Sequence, residues 1–252
     1  MTFEVAAEAY DRFMGRYSQQ LSPQLADFAG IRAGRRVLDV GCGPGALTAE
    51  LVRRVGEDQV SAVDPSDTFV AAARARHPGV DVQSATAERL PFTDASFDAV
   101  LAQLVVHFMT DPVAGLREMK RVASPGGTVA ASVWDHVGER TPIAVFWQAA
   151  RELDPDARDE SGLAGGREGH LGEVFADAGL ASVEETSHEA SVRFESFDEW
   201  WEPFTLGVGP AGAYAQTRDE ASCEQLRARC EELLPAAPFT LSTWAWAARG
   251  VA

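Results

Sequence analysis

Residues 37–48 read VLDVGCGPGALT, an apolar run broken by one aspartate that passes through three glycines into a helical pattern. A strand that breaks into a glycine turn and opens a helix is built to hold a nucleotide. The spacing Gly41-x-Gly43-x-x-Ala46 approaches the dinucleotide fingerprint. Asp39 opposes that reading, because a carboxylate two residues before Gly41 would add repulsion beside a pyrophosphate held on the loop. A ligand bearing an amino group and a sulfonium tolerates the acid, and S-adenosylmethionine offers both. Its lone carboxylate is left to dipoles or a cation. In AVDPS (62–66), Asp64 ends the next strand and places a second carboxylate where ribose hydroxyls would lie, although the same acid also fits an NAD site.

Outward from this loop, apolar runs at 36–40, 60–64, 80–85, 97–103 and 128–134 alternate with helical patterns at about 45–55, 67–76, 111–122 and 142–153. Short continuous apolar strands separated by helices imply an α/β fold, a parallel sheet covered on both faces. Pro65, Pro78, Pro91, Pro112 and the Pro125-Gly126-Gly127 turn punctuate the joints. After residue 154 the rhythm changes. DPDARDESGLAGGREG (154–169) reads as a polar surface loop, 170–180 as an amphipathic helix, and 181–194 and 238–250 as two further strands. Residues 197–217 and a helix near 219–234 form an insertion between them.

Thirty-eight acidic residues against 22 basic ones give a net charge of −16, and Lys120 is the sole lysine. Such a surface repels phosphate backbones and anionic membranes, so neither nucleic acid nor membrane is expected as a partner. The N-terminal MTFEVAAEAYDRFMGRY lacks a basic region followed by an apolar one, and no stretch approaches a membrane span, so a cytoplasmic location is expected. Cys42, Cys223 and Cys230 are odd in number and lack C-x-x-C spacing, which suggests neither a disulfide framework nor a metal site. Cys42 reads as a small side chain in a tight turn, since no paired base accompanies it.

VLDVGCGPGALT, AVDPS, AERLPFTDASFDAVLA (87–102) and SPGGTVAAS (124–132), in that order, resemble the class I S-adenosylmethionine-dependent methyltransferases. The resemblance covers about residues 8–135 and is strongest to the small-molecule group that includes the ubiquinone/menaquinone-biosynthesis C-methyltransferases. It implies a doubly wound, Rossmann-like, seven-stranded, mostly parallel sheet whose last strand is antiparallel. A single domain over 1–252 is expected, with an N-terminal helical lid (1–30), a cofactor core (31–135) and a C-terminal half (136–252) carrying a substrate cap at about 195–236. The resemblance assigns Asp39, Gly41, Gly43 and Gly45 to the methionyl side of S-adenosylmethionine, Asp64 to the ribose and Pro65 to the adenine. Thr86 and Ala87 stand where many relatives have an Asp-Ala pair that meets the adenine amino group; a threonine hydroxyl can also accept. In the helix AEAYDRFMGRYS (7–18), Arg16 could pair with the methionyl carboxylate while Tyr10, Phe13, Met14 and Tyr17 exclude water; the same spacing also suits a packing helix.

Methyl transfer from a sulfonium needs chiefly an aligned acceptor and a dry site; a base is needed only for an acceptor with a reluctant proton. His107 and His136 follow predicted strands at the carboxyl edge of the sheet and are the candidate catalytic histidines, with Gln103, at a strand end, a cofactor contact. Trp200, Trp201, Phe204 and Tyr214 would line an acceptor cavity or pack the insertion's own core. The expected activity is methyl transfer to a small-molecule acceptor. An NAD(P)-dependent oxidoreductase and a non-catalytic S-adenosylmethionine-binding regulator are the alternatives.

Overall fold

The computed structural model describes residues 7–252. Seven strands, β1 (Val37–Val40), β2 (Val60–Asp64), β3 (Asp81–Ser84), β4 (Phe97–Gln103), β5 (Ala123–Trp134), β6 (Ala181–Phe194) and β7 (Phe239–Val251), form one sheet in the order β3-β2-β1-β4-β5-β7-β6. Pairing is parallel from β3 through β5, and β7 runs antiparallel to both of its neighbours. The expected topology is therefore present, last strand included. One difference lies in β5, where Pro125-Gly126-Gly127 falls within the strand's range instead of preceding it. Phe97 pairs with Ala123 and Ala99 with Thr128, so the intervening residues bulge from the ladder, as expected where proline cannot donate to it.

The helices are α1 (Ala7–Tyr10), α2 (Arg16–Phe28), α3 (Ala46–Val55), α4 (Asp67–Arg76), α5 (Pro112–Val122), α6 (Ala144–Leu153), α7 (His170–Asp177), α8 (Phe197–Thr205), α9 (Gly209–Gln216) and α10 (Glu220–Leu233). Side chains start several of them. Ser66 caps α4, and Asp111 caps α5 by accepting from the Ala114 N–H at 2.9 Å with Pro112 at the first turn. Alternate strand residues face opposite layers. Val37, Ala99 and Leu101 join Leu25 of α2, Leu47 and Leu51 of α3 and Val70 of α4, whereas Leu38, Val40, Val100 and Ala102 join Leu116 and Met119 of α5 and Leu171 and Phe175 of α7.

A third apolar cluster lies beneath the insertion, where Trp200, Trp201 and Phe204 of α8 pack on Phe146 of α6 and on Phe13. The three α8 rings are buried core, and none of them lines a cavity described below. Of the two roles open to them, packing is the one the structure gives. Along the open edge of the sheet, α2 lies beside β6. Gln20 donates to the Ser191 carbonyl at 3.0 Å and accepts from the Ser191 N–H at 3.1 Å; Gln24 does the same with Glu189, at 2.7 and 3.3 Å. Tyr17, Leu21 and Leu25 on the adjoining face of α2 are at most 1% exposed. The α2 part of the segment expected as a lid packs on the core. The part that reaches the site is α1 with the π-helical turn Asp11–Gly15, anchored through Asp11 to Arg76 of α4.

Candidate active site

Strand order reverses between β1 and β4, and a cleft of about 670 Å³ opens there at the carboxyl ends of β1, β2 and β4. Gly41, Gly43, Asp64, Pro65, Thr86, Ala87 and Gln103 all line it, together with Tyr10, Phe69 and His107. Gly41 has φ +71°, and a Cβ there would come within 2.5 Å of Val105. At Gly43, with φ +53°, a Cβ would meet nothing within 4 Å, so the turn leaves an open cradle facing the cleft.

Asp64 is 6% exposed, and its two oxygens accept from the Gly43 and Ser66 N–H groups at 2.8 Å each. Burial raises its carboxyl above the usual range while those two bonds oppose the shift. Each oxygen keeps a lone pair for a hydroxyl donor. Elsewhere in the loop the amides are already committed. Gly41 and Cys42 donate to the Val63 carbonyl at 2.8 and 2.9 Å, Gly45 donates to Cys42 at 3.0 Å, and Pro44 has no N–H. A pyrophosphate would find these donors taken and two carboxylates beneath it, whereas a ribose diol and a cationic centre suit the donor set.

Three expected cofactor residues lie elsewhere. Asp39 sits under the turn, 1% exposed, where Oδ2 accepts from the Thr48 hydroxyl at 2.7 Å, Oδ1 has no partner, and burial pushes its carboxyl up to about 7. It shapes the charge beneath the loop but does not line the cleft. Gly45, at φ +103°, starts α3 with its open side toward His77. Arg16 does not reach the cleft. Its guanidinium donates to Glu199 Oε1 at 2.8 Å and to the Arg193 carbonyl at 2.7 Å and stacks over Phe194, because α2 is docked on β6 and presents that face to it. Gln103 lines the cleft, but its amide nitrogen donates to the Ser18 carbonyl of α2 at 3.2 Å.

Beside the cleft is a tighter chamber, about 40 Å³ by the same measure, walled by Tyr10, Phe13, Phe108 and Trp134. Tyr10, Leu104, His107 and Phe108 border both spaces. Leu104 holds the left-handed conformation at φ +60°, uncommon for leucine, as the chain leaves β4 at this junction. His136 faces the chamber, 5.4 Å from His107 between ring centres. Asp135 fixes its loop by accepting from the Gly138 N–H and the Trp246 indole at 3.0 Å each and from Arg140 at 2.5 Å. The insertion supplies the remaining wall through Val208, Gly209, Pro210 and Ala211.

The segment 154–169, expected on the surface, folds back over the site. Glu160 is 3% exposed and lines the chamber, and Leu163 lines the cleft. Arg151 pairs with Asp159, and the Val137 N–H donates to the Gly166 carbonyl at 2.9 Å, ties that hold the segment inward. No sequence signal marks Glu160, which sits in a polar, glycine-rich run. Among the described residues no cluster of side chains could hold a metal ion, and no helix is long and apolar enough to cross a membrane.

Burial lowers both histidines, His107 well below 6.5 and His136 to about 4, where Asp159 and Asp135 oppose the shift. The folded chain is then the poorer proton binder, so the His136 contribution is whole above pH 6.5 and is lost as pH falls toward 4. Relative to the parent, His136→Gln is expected to gain about 1–2 kcal/mol on going from pH 7 to pH 5, measured by urea unfolding at both. An unchanged difference would show that His136 titrates normally.

Residues 38–131 match the sequence profile of a family described as a methyltransferase domain. The malonyl-[acyl-carrier protein] O-methyltransferase of Erwinia billingiae is 38% identical over 130 residues, 52% of this chain and 51% of that protein. The ubiquinone/menaquinone biosynthesis C-methyltransferase of Idiomarina loihiensis is 40% identical over 110 residues, 41% of this chain and 44% of that one. The chain thus spans about half the length of these curated relatives. In fold it resembles the crystal structure of the YcgJ protein of Bacillus subtilis, with a TM-score of 0.59, 20% identity and coverage of 91% of this chain and 97% of that one.

Proposed function

We propose, from the methyltransferase domain that residues 38–131 carry, that this chain transfers the methyl group of S-adenosylmethionine to a small-molecule acceptor. The observation that carries the reading is the joining of two unlike spaces at His107: a polar cleft over Asp64 and the glycine turn, and an apolar chamber beyond it. When bound, S-adenosylmethionine supplies a methyl group already activated by a positive sulfur. Asp64 holds the ribose hydroxyls, Pro65 and Ala87 flank the base with Thr86 beside them, and the Gly43 cradle receives the methionyl end. Asp39 adds negative potential beneath the turn. Tyr10 and Phe69, whose rings are 5.3 Å apart, close the cleft from water.

His107 and His136 face the acceptor. Kept unprotonated by burial, they orient it through bare ring nitrogens, since His107 Nδ1 and His136 Nε2 have no partner in the protein. Calorimetry with S-adenosylhomocysteine and with NAD tests the reading. Micromolar binding of the first and none of the second is expected, and the reverse order would make the chain an oxidoreductase instead.

A further inference from the structure

Three residues that line the chamber each carry a buried polar atom with no hydrogen-bond partner in the protein, His107 Nδ1, His136 Nε2 and Glu160 Oε2, and the Trp147 indole lies beside the Glu160 carboxyl. The three residues are 4%, 9% and 3% exposed. A buried polar group left unpaired is costly, so three on residues that line one small space call for a ligand that completes them. Both histidines can present a bare nitrogen and a carboxylate only accepts, so the missing partner is rich in donors. An alkylammonium carries three. Tyr10, Phe13, Phe108 and Trp134 line the chamber with aromatic rings, a lining compatible with a cation on an apolar body.

Charge around the chamber has the matching sign. Asp135 and Asp159 flank His136, and the arginines nearby are occupied: Arg140 by Asp135, Arg151 by Asp159 and Glu139. Glu160 has no basic partner among the described residues. A carboxylate-bearing acceptor would therefore be repelled, and an alcohol would satisfy one of the three atoms as donor.

Building on the methyl-transfer reading, we infer that the acceptor is an amine with a short apolar body, and that Glu160 draws its ammonium into the chamber and takes the proton that frees the lone pair. In that step one N–H bond of the ammonium breaks, its electron pair stays on nitrogen, and an O–H bond forms on Glu160 Oε2. An ammonium and a carboxylate become a neutral amine and a carboxylic acid. Removing both charges at once is favoured in a desolvated space. Burial pushes the Glu160 carboxyl up to about 7, so it accepts a proton more readily than a surface glutamate. The narrowness of the chamber, about 40 Å³, sets the short body.

The test uses ethylamine, ethanol and acetate, three small probes, titrated calorimetrically into the full chain loaded with S-adenosylhomocysteine. Ethylamine is expected to bind at least about tenfold more tightly than ethanol, with acetate not binding. Glu160→Gln should weaken ethylamine by about tenfold or more and leave S-adenosylhomocysteine at parental affinity, while Glu160→Asp restores part of the loss. Ethanol binding as well as ethylamine, no binding of ethylamine, or a Gln variant that keeps its ethylamine affinity would each overturn the inference. Should the Gln variant not fold, the ranking of the three probes on the parent decides the acceptor class. Failure of the parent to bind S-adenosylhomocysteine would sink the methyl-transfer reading instead, a result read before any probe is added.

Discussion

Replacing Asp64 with alanine is expected to weaken S-adenosylhomocysteine binding by about a hundredfold in a chain that still folds. The side chain has two tasks. It accepts from the Gly43 and Ser66 N–H groups at 2.8 Å each, setting the shape of the glycine turn and the start of α4. On the proposed reading its remaining lone pairs accept from the ribose. Two charge-assisted bonds at about 1.5 kcal/mol each correspond to a little over two powers of ten. Asp64→Asn separates the tasks: it retains one acceptor oxygen for the turn but loses the charge, and an intermediate loss is expected. Parental affinity in a folded alanine variant would remove Asp64 from the cofactor site.

Trp200→Ala is expected to cost about 3–5 kcal/mol of stability and to lower the melting temperature by about 10 °C. Trp200 is 1% exposed and packs against Phe197, Trp201 and Phe204, well inside the cluster under the insertion. Truncation leaves a cavity that its stacked neighbours cannot fill. The S-adenosylhomocysteine affinity of the variant, measured well below its melting point, should match the parent's. A variant that melts within about 2 °C of the parent and binds acceptor less well would place this ring in the binding site after all.

The sheet was legible because its signals are local. In the central strands β1, β2 and β4 a short apolar run coincides with burial on both faces, and β2, β4 and β6 begin and end where their patterns do. That Gly41, Gly43 and Asp64 share one cleft was legible for the same reason, since they are fixed by turn chemistry within one βαβ unit. What escaped depends on distant partners. Arg16 is drawn to Glu199, 183 residues away, which no local spacing foretells. Glu160 sits in a polar, glycine-rich run, and only the Arg151–Asp159 pair and the loop's bond to Val137 turn it inward. Tryptophan and phenylalanine at helical spacing serve a cavity wall and a core equally well, so Trp200, Trp201 and Phe204 could be placed only by seeing what surrounds them.

The glutamines of α2 have a consequence for the chain's behaviour in solution. A carboxamide is a peptide group on a tether, and Gln20 and Gln24 each offer β6 one donor and one acceptor, the same exchange a neighbouring strand would make. Four residues of helix rise about 6 Å and two residues of strand about 6.7 Å, so the two glutamines keep step with Ser191 and Glu189. The helix thereby impersonates the next strand. It occupies the outward hydrogen-bonding groups of Glu189 and Ser191, two positions of a fourteen-residue edge through which another chain could be recruited, and so guards that part of the edge against pairing from copy to copy.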